Sequence, residues 1–243
     1  MKVVAIVQAR MGSTRLPGKV LLDLAGKSIL GRVVERLGRA HAIHEVLIAT
    51  TDSPRDELIV EECRRLEVPV SRGQEEDVLD RYYQAAKSIA ADVVVRVTSD
   101  CPVIDPEVTD RTVREFLEAR PDYAANTLQR TYPRGLDTEV MTADALARAW
   151  EEAHQPYERI HVTPYLYEHP EKFRLLSVTG EKDWSRHRWT VDTPEDLQLI
   201  RAIYDRLGRS GDFLWSDVLN LVERNPELVE LNRFVMQKGL REG

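Results

Sequence analysis

The sequence predicts an α/β fold, a Rossmann-like doubly wound sheet of mostly parallel strands, in one domain over residues 1–243. Two observations carry this. Short apolar, β-branched runs alternate with amphipathic helical stretches through the first half, the pattern of repeated β-α-β units. The connections between them are short, and no linker, low-complexity stretch or internal repeat divides the chain. About residues 1–120 form one half of the domain and about 121–243 the other.

Residues 3–7, 46–50, 68–71 and 93–98 are the strand candidates of the first half. They are continuous apolar runs, as expected for strands buried on both faces. Residues 28–40 place Ile29, Leu30, Val33, Val34 and Leu37 on one helical face. Asp52-Ser53-Pro54 opens a second helix, a polar cap before a proline, and Leu58, Ile59, Cys63 and Leu66 continue it. A third helix over residues 78–90 carries Leu79, Tyr82, Ala86 and Ile89, and Asp105 caps a fourth before Pro106.

The second half is less regular. Residues 122–134 read as a strand end and a polar loop, and 138–141, 173–179 and 188–191 as short strands. Residues 143–153 and 157–167 are helical, Thr193-Pro194-Glu195-Asp196 opens a helix to about Leu207, and 215–224 and 227–232 close the chain as helices. This half completes the same sheet and supplies a second ligand side.

Composition narrows the function. Hydrophobic residues make up 42% and charged ones 31%, an ordinary globular balance. A net charge of -7 opposes nucleic-acid binding, which needs a dominant basic face. The apolar run at residues 3–7 is too short to span a bilayer or to serve as a signal-peptide core, so no membrane association is expected. Cys63 and Cys101 form no disulfide framework, which suits the reducing cytoplasm.

The first motif follows the first strand: Gln8-Ala9-Arg10-Met11-Gly12-Ser13-Thr14-Arg15-Leu16-Pro17-Gly18-Lys19. A phosphate-binding loop belongs at this place in such a sheet. Gly12 and Gly18 let the backbone curl with its amides inward, and Arg10, Arg15 and Lys19 supply positive charge for a triphosphate. A solvated basic loop is the plain alternative. Walker A fails on count, because five residues rather than four separate Gly12 from Gly18 and Val20 follows Lys19. No G-x-G-x-x-G occurs either.

Two aspartates end β-type runs. Asp100, in Thr98-Ser99-Asp100-Cys101-Pro102, points into the expected ligand crevice, where it would hold a hard cation or merely serve a turn. Asp192, in Val191-Asp192-Thr193-Pro194-Glu195-Asp196-Leu197, is either a second carboxylate for that cation or part of a helix cap. Cys101 reads as a small buried hydrophobe rather than a nucleophile, and the histidines show no metal-ligand spacing. Glu61-Glu62 and the tail from Arg233 to Gly243 read as solvated faces.

Together these segments resemble the cytidylyltransferases that activate acidic sugars, including the 3-deoxy-manno-octulosonate and acylneuraminate enzymes. The likeness is closer to the spore-coat polysaccharide biosynthesis protein F group. It extends through Gly73-Gln74-Glu75-Glu76-Asp77-Val78-Leu79-Asp80-Arg81-Tyr82-Tyr83, Thr131-Tyr132-Pro133-Arg134-Gly135-Leu136-Asp137 and His161-Val162-Thr163-Pro164-Tyr165. The octulosonate enzymes carry Gln-Gly-Asp-Glu-Pro where this chain has Thr98-Ser99-Asp100-Cys101-Pro102.

The resemblance implies a nucleotide-diphospho-sugar transferase-like fold. It also implies a homodimer and a CTP-dependent transfer to an anionic sugar, with release of pyrophosphate, in surface or spore-coat polysaccharide synthesis. Arg10 and Lys19 would act on the reacting phosphates. Gln8, Ala9, Gly12, Ser13, Arg15, Thr51 and Asp77 would bind the nucleotide, and Asp100 and Asp192 would hold Mg²⁺. Independently of the resemblance, the basic residues gathered in the second half, Arg130 and Arg134 around Tyr132-Pro133 and Arg186, His187 and Arg188 before Asp192, suggest an anionic acceptor meeting Arg134, Asp137, His161 and His187; the plain alternative is that these arginines pair with Glu139 and other surface acids. A glycosyltransferase using a nucleotide-sugar donor and a non-catalytic nucleotide-binding subunit remain the alternatives.

Overall fold

The computed structural model describes residues 1–240. β1 (Val3–Gln8) leads into the basic motif, which ends in a 3-10 turn at Lys19–Leu21. A small hairpin, β2 (Asp23–Leu24) and β3 (Lys27–Ser28), precedes α1 (Ile29–Leu37). Next come β4 (Glu45–Thr51), α2 (Glu57–Arg65), β5 (Val70–Gly73), α3 (Val78–Ser88), β6 (Val93–Thr98) and α4 (Pro106–Ala119). The second half contains β7 (Tyr123–Ala125), β8 (Glu139–Thr142), α5 (Ala143–Glu152), α6 (Pro156–His161), α7 (Pro164–Glu168) and β9 (Leu175–Ser177). It ends with α8 (Pro194–Leu207), α9 (Trp215–Arg224) and α10 (Pro226–Glu230).

Strands from both halves form one seven-stranded sheet in the order β5-β4-β1-β6-β8-β7-β9. β5, β4, β1 and β6 are parallel, β7 and β9 run the same way, and β8 alone runs against its neighbours. Residues 3–7 of β1 are all at most 1% exposed, because helices cover both faces of the sheet. Val3, Ala5 and Val7 pack with Leu30 and Val33 of α1, Ile59 and Cys63 of α2 and Val113 of α4. Val4 and Ile6 pack with Leu79 and Tyr82 of α3 and Leu146 of α5. A third cluster joins α8 and α9 to Tyr132, Leu136 and Trp189.

The caps expected at Asp105 and Thr193 hold, and Ser28 adds one at α1; Ser53 makes no side-chain cap, residues 54–56 form a 3-10 turn, and α2 begins at Glu57. Ser28 Oγ accepts from Gly31 N at 2.8 Å, Asp105 Oδ1 from Glu107 N at 2.9 Å, and Thr193 Oγ1 from Asp196 N at 3.3 Å. Four further local expectations change. The helix expected over 157–167 breaks into α6 and α7 at Val162, which is fully buried with φ 74° and is followed by Thr163-Pro164. The strand expected over 188–191 makes only one bridge, Arg134 to Arg188. The third strand lies at Val70–Gly73 rather than 68–71, because Pro69 has no N–H to give the ladder. Glu62 is not solvated: it is 9% exposed and takes hydrogen bonds from Ser28 Oγ and Arg65.

Candidate active site

From β1 the chain builds outward to β4 and β5, then crosses to place β6 on the other side of β1. That reversal opens a crevice beyond the carboxyl ends of β1 and β6, where ligands bind in such sheets. A cavity of about 510 Å³ lies there. Of the predicted site residues, Gln8, Ala9, Arg10, Gly12, Ser13, Arg15, Lys19, Asp100, Arg134, Asp137, His161 and Asp192 line it.

The loop after β1 is shaped by its glycines and by one buried carboxylate. Gly18 has φ 66°, a conformation that favours glycine. Asp56, 2% exposed, accepts from Met11 N at 2.8 Å and from Thr51 Oγ1 at 2.6 Å, tying the loop to the end of β4. No local sequence pattern distinguishes Asp56 from an ordinary first-turn acid.

At the centre of the crevice Lys19 Nζ donates to Asp100 Oδ2 at 2.7 Å, to Asp192 Oδ1 at 2.8 Å and to the Val191 carbonyl at 2.8 Å. Burial alone would lower the Lys19 pKa, but the two carboxylates outweigh it and raise it. Asp192 also meets Arg15 at 2.9 Å and Arg188 at 2.6 Å; burial alone would raise its pKa, but Lys19 first and then these two arginines hold its carboxyl well below the usual range. Thr98 Oγ1 donates to the other oxygen of Asp100 at 2.6 Å, and Val191 N donates to the Asp100 carbonyl at 2.8 Å. The two carboxylates, far apart in sequence, are thereby fixed side by side.

The cap of α8 does not use the side chain of Asp192. The fully buried carboxylate of Asp196 accepts from Asp192 N at 2.9 Å and Thr193 N at 3.1 Å, and Arg188 Nε and Asn232 Nδ2 donate to it at 2.9 and 2.8 Å. The Asp192 carboxylate is left facing the cavity.

Three predicted residues lie elsewhere. Thr51 is fully buried, and its hydroxyl is spent on Asp56. Asp77 caps α3 by accepting from Asp80 N at 2.9 Å and pairs with Arg159 at 2.6 Å; Glu75 and Glu76 of the same loop reach the cavity instead. His187 is 3% exposed, stacked 5.7 Å from Trp189, with Nε2 at 3.3 Å from Glu223 Oε1.

The cations of the second half divide. Arg130 forms a two-point pair with Asp137 at 2.6 and 2.8 Å, Arg186 meets Glu223 at 2.8 Å, and Arg188 is held by Asp192 and Asp196. Arg134 has no carboxylate partner among the described residues and lines the cavity. Burial and neighbouring Arg130 pull its pKa below the ordinary arginine value. Gly135, at φ 108°, allows this segment to lie against Trp189, whose carbonyl carbon a Cβ would meet at 2.7 Å. His161 is half-buried, and burial followed by nearby Arg96 keeps its pKa low, so the ring is neutral near pH 7.

Three lining features were not among the expected site residues. Arg81, 3% exposed, closes the base of the cavity and donates to the Glu75 carbonyl at 3.4 Å. Cys101, 3% exposed, lies beside Asp100. The tail is exposed at Gln237, Lys238, Gly239 and Leu240, as expected, and these residues also form a wall of the cavity. Arg188 Nη1 donates to Gln237 Oε1 at 2.7 Å and Arg15 Nη1 to the Met236 carbonyl at 3.3 Å; residues 241–243 of that tail lie outside the described residues. Among the described residues no helix is long and apolar enough to cross a membrane.

The chain is similar to known proteins over most of its length. A structure of a cytidylyltransferase from Leptospira borgpetersenii matches with a TM-score of 0.92 at 36% identity, covering 98% of this chain and 100% of that one. Spore coat polysaccharide biosynthesis protein SpsF of Bacillus subtilis is 34% identical over 234 residues, 91% of this chain and 94% of SpsF. A 3-deoxy-manno-octulosonate cytidylyltransferase of Trichlorobacter lovleyi is 36% identical over 129 residues, 53% of this chain and 50% of that enzyme. Residues 4–228 match the family described as cytidylyltransferase, and the chain belongs to that family.

Proposed function

We propose that the protein transfers CMP from CTP to an anionic sugar and releases pyrophosphate. The observation that carries this reading is the convergence of Asp100 and Asp192 on the ammonium of Lys19, at 2.7 and 2.8 Å, in the crevice between β1 and β6. Family membership supplies the reaction type, and the similarity to an octulosonate enzyme supports an acidic sugar as acceptor.

The donor set fits Mg²⁺. Two hard carboxylates already gather around one positive charge, and Mg²⁺ is usually held by one or two carboxylates together with substrate phosphates. Among the described residues no cluster of three or more potential metal-ligating side chains occurs, which suits a site completed by the nucleotide. When bound by Asp100 and Asp192, Mg²⁺ would supply charge neutralisation at the α-phosphate.

The remaining chemistry belongs to the chain. Arg10, Arg15 and Lys19 attract the triphosphate and stabilise the charge that gathers on departing pyrophosphate. Gly12 and Ser13 line the same loop side of the cavity. Arg134, without a carboxylate partner among the described residues, receives the acceptor's carboxylate or phosphate, while Asp137 and the neutral His161 exchange hydrogen bonds with its hydroxyls. The acceptor oxygen then attacks the α-phosphorus as the bond to the β-phosphate oxygen breaks. Positioning and electrostatics suffice for such a transfer.

The test is pyrophosphate release across the four nucleoside triphosphates with a panel of acidic sugars and sugar phosphates. Release confined to CTP with an anionic acceptor is the expected result. Turnover of a nucleotide sugar with no pyrophosphate from any triphosphate would overturn it.

A further inference from the structure

Under the cavity floor lies a polar network that the proposed transfer has not used. Side chains alternate along β1, so Gln8 shares the α3 and α5 face with Val4 and Ile6. Arg96 of β6 stands on that face, in register with Ile6 and with Glu139 of β8. Arg96 Nη1 pairs with Glu139 Oε1, Tyr123 donates its hydroxyl proton to Glu139 Oε2 at 2.7 Å, and Arg96 Nη2 donates to Gln8 Oε1 at 3.1 Å.

This arrangement decides which end of the Gln8 amide faces the ligand. Arginine has donors only, whereas a carboxamide has one acceptor end and one donor end. Gln8 Oε1 must therefore turn to Arg96, and its NH₂ group must turn away. Gln8 lines the cavity, and its NH₂ has no partner among the described residues. Arg96 cannot rotate freely to relax this choice, because Glu139, 7% exposed, is fixed from its other side by Tyr123.

The ligand atom follows from position and chemistry. Val20 and Cys101, next in sequence to Lys19 and Asp100, pack on the opposite face of the sheet with α1 and α4. On the proposed reading, phosphate oxygens are met there by Lys19 and Arg15. A neutral amide donor on the α3 face suits an uncharged oxygen.

We infer that Gln8 is a specificity-determining donor to a carbonyl or hydroxyl oxygen of the bound nucleotide or acceptor, with Arg96 and Glu139 as the positioning pair that fixes its orientation. The inference rests on the nucleotidyl-transfer reading of the same cavity. Gln8→Glu retains an acceptor for Arg96 but loses the donor; Gln8→Met loses both without adding charge. Both variants should lose about tenfold in kcat/KM, the scale of one hydrogen bond made in the site. The melting temperature should fall in Gln8→Met alone. A rise in KM for CTP places the oxygen on the nucleotide, and a rise for the sugar places it on the acceptor. Wild-type turnover in Gln8→Met overturns the inference, and so does an equal loss of melting temperature in both variants.

A second readout needs no turnover. The Gln8 side-chain amide, identified in nitrogen-15 NMR spectra by its loss in Gln8→Met, should shift on adding CTP or the acceptor. An amide that responds to neither overturns the inference. Wild-type protein that releases no pyrophosphate from any triphosphate counts against the reaction, while the amide measurement still decides the role of Gln8.

Discussion

Lys19 and Asp192 are 173 positions apart in sequence and 2.8 Å apart in space. The lysine belongs to the loop after the first strand, and the aspartate to the approach to α8. Lys19 and Arg15 are thus both engaged by Asp192, and on the proposed reading a triphosphate competes with that carboxylate for them. Ligand affinity is the difference between those two engagements.

Arg15→Ala and Lys19→Ala should each weaken CTP binding by roughly ten- to a hundredfold, equivalent to about 1.5–3 kcal/mol for a charged contact. Calorimetric titration reads the effect directly. If both variants bind CTP as the wild type does, the loop does not hold the phosphates.

Asp100→Asn and Asp192→Asn should abolish most turnover while circular dichroism stays native. Each change removes a formal charge with little change in shape. The cap of α8 survives in Asp192→Asn because Thr193 and Asp196 make it. Full activity of Asp192→Asn at limiting Mg²⁺ would show that this carboxylate serves only its arginine and lysine partners.

Arg134→Ala should raise KM for the acceptor by about tenfold or more and leave CTP affinity unchanged, since a charged hydrogen bond is lost on one substrate only. Arg134 is the member of the second-half cation cluster without a carboxylate partner among the described residues, so little internal pairing is disturbed. Saturation kinetics against each substrate separates the two outcomes. An unaltered acceptor response moves the anion site elsewhere.

Cys63 gives a pH signature independent of the active site. Burial, with Glu62 nearby, pushes its thiol from 9.0 up to about 12. The folded state therefore holds the thiol proton more tightly than the unfolded chain does. Its stabilising contribution is complete below pH 9.0 and is lost as pH rises through about 12. Melting temperatures should fall over that interval, and Cys63→Val should flatten part of the fall. Cys63 should also resist alkylation at neutral pH until the protein is unfolded.

Periodicity and capping are local, and the elements that depend on them were legible. β1 and β6 are apolar runs, α1 has its stripe, and α4 and α8 begin at Asp105 and Thr193. The cations of the loop after β1 were equally plain, because their place after a first strand already locates them at the ligand end of the sheet. Less was legible where the same residue type can serve two masters. Asp77 and Asp192 look alike in sequence, each polar before a helix; Asp77 makes the cap, whereas Asp196 relieves Asp192 of that task.

By itself, then, the sequence determined the alternating α/β order, the capped helices and the basic loop, since these follow from neighbours a few residues apart. Tertiary structure alone decided the reversed direction of β8, the meeting of Lys19 with Asp100 and Asp192, the withdrawal of Thr51 and His187 into the interior, and the wall formed by Gln237 to Leu240. The physical reason is range: a local pattern sets which face a side chain takes, but charges and hydrogen bonds choose their partners only after distant strands have been brought side by side.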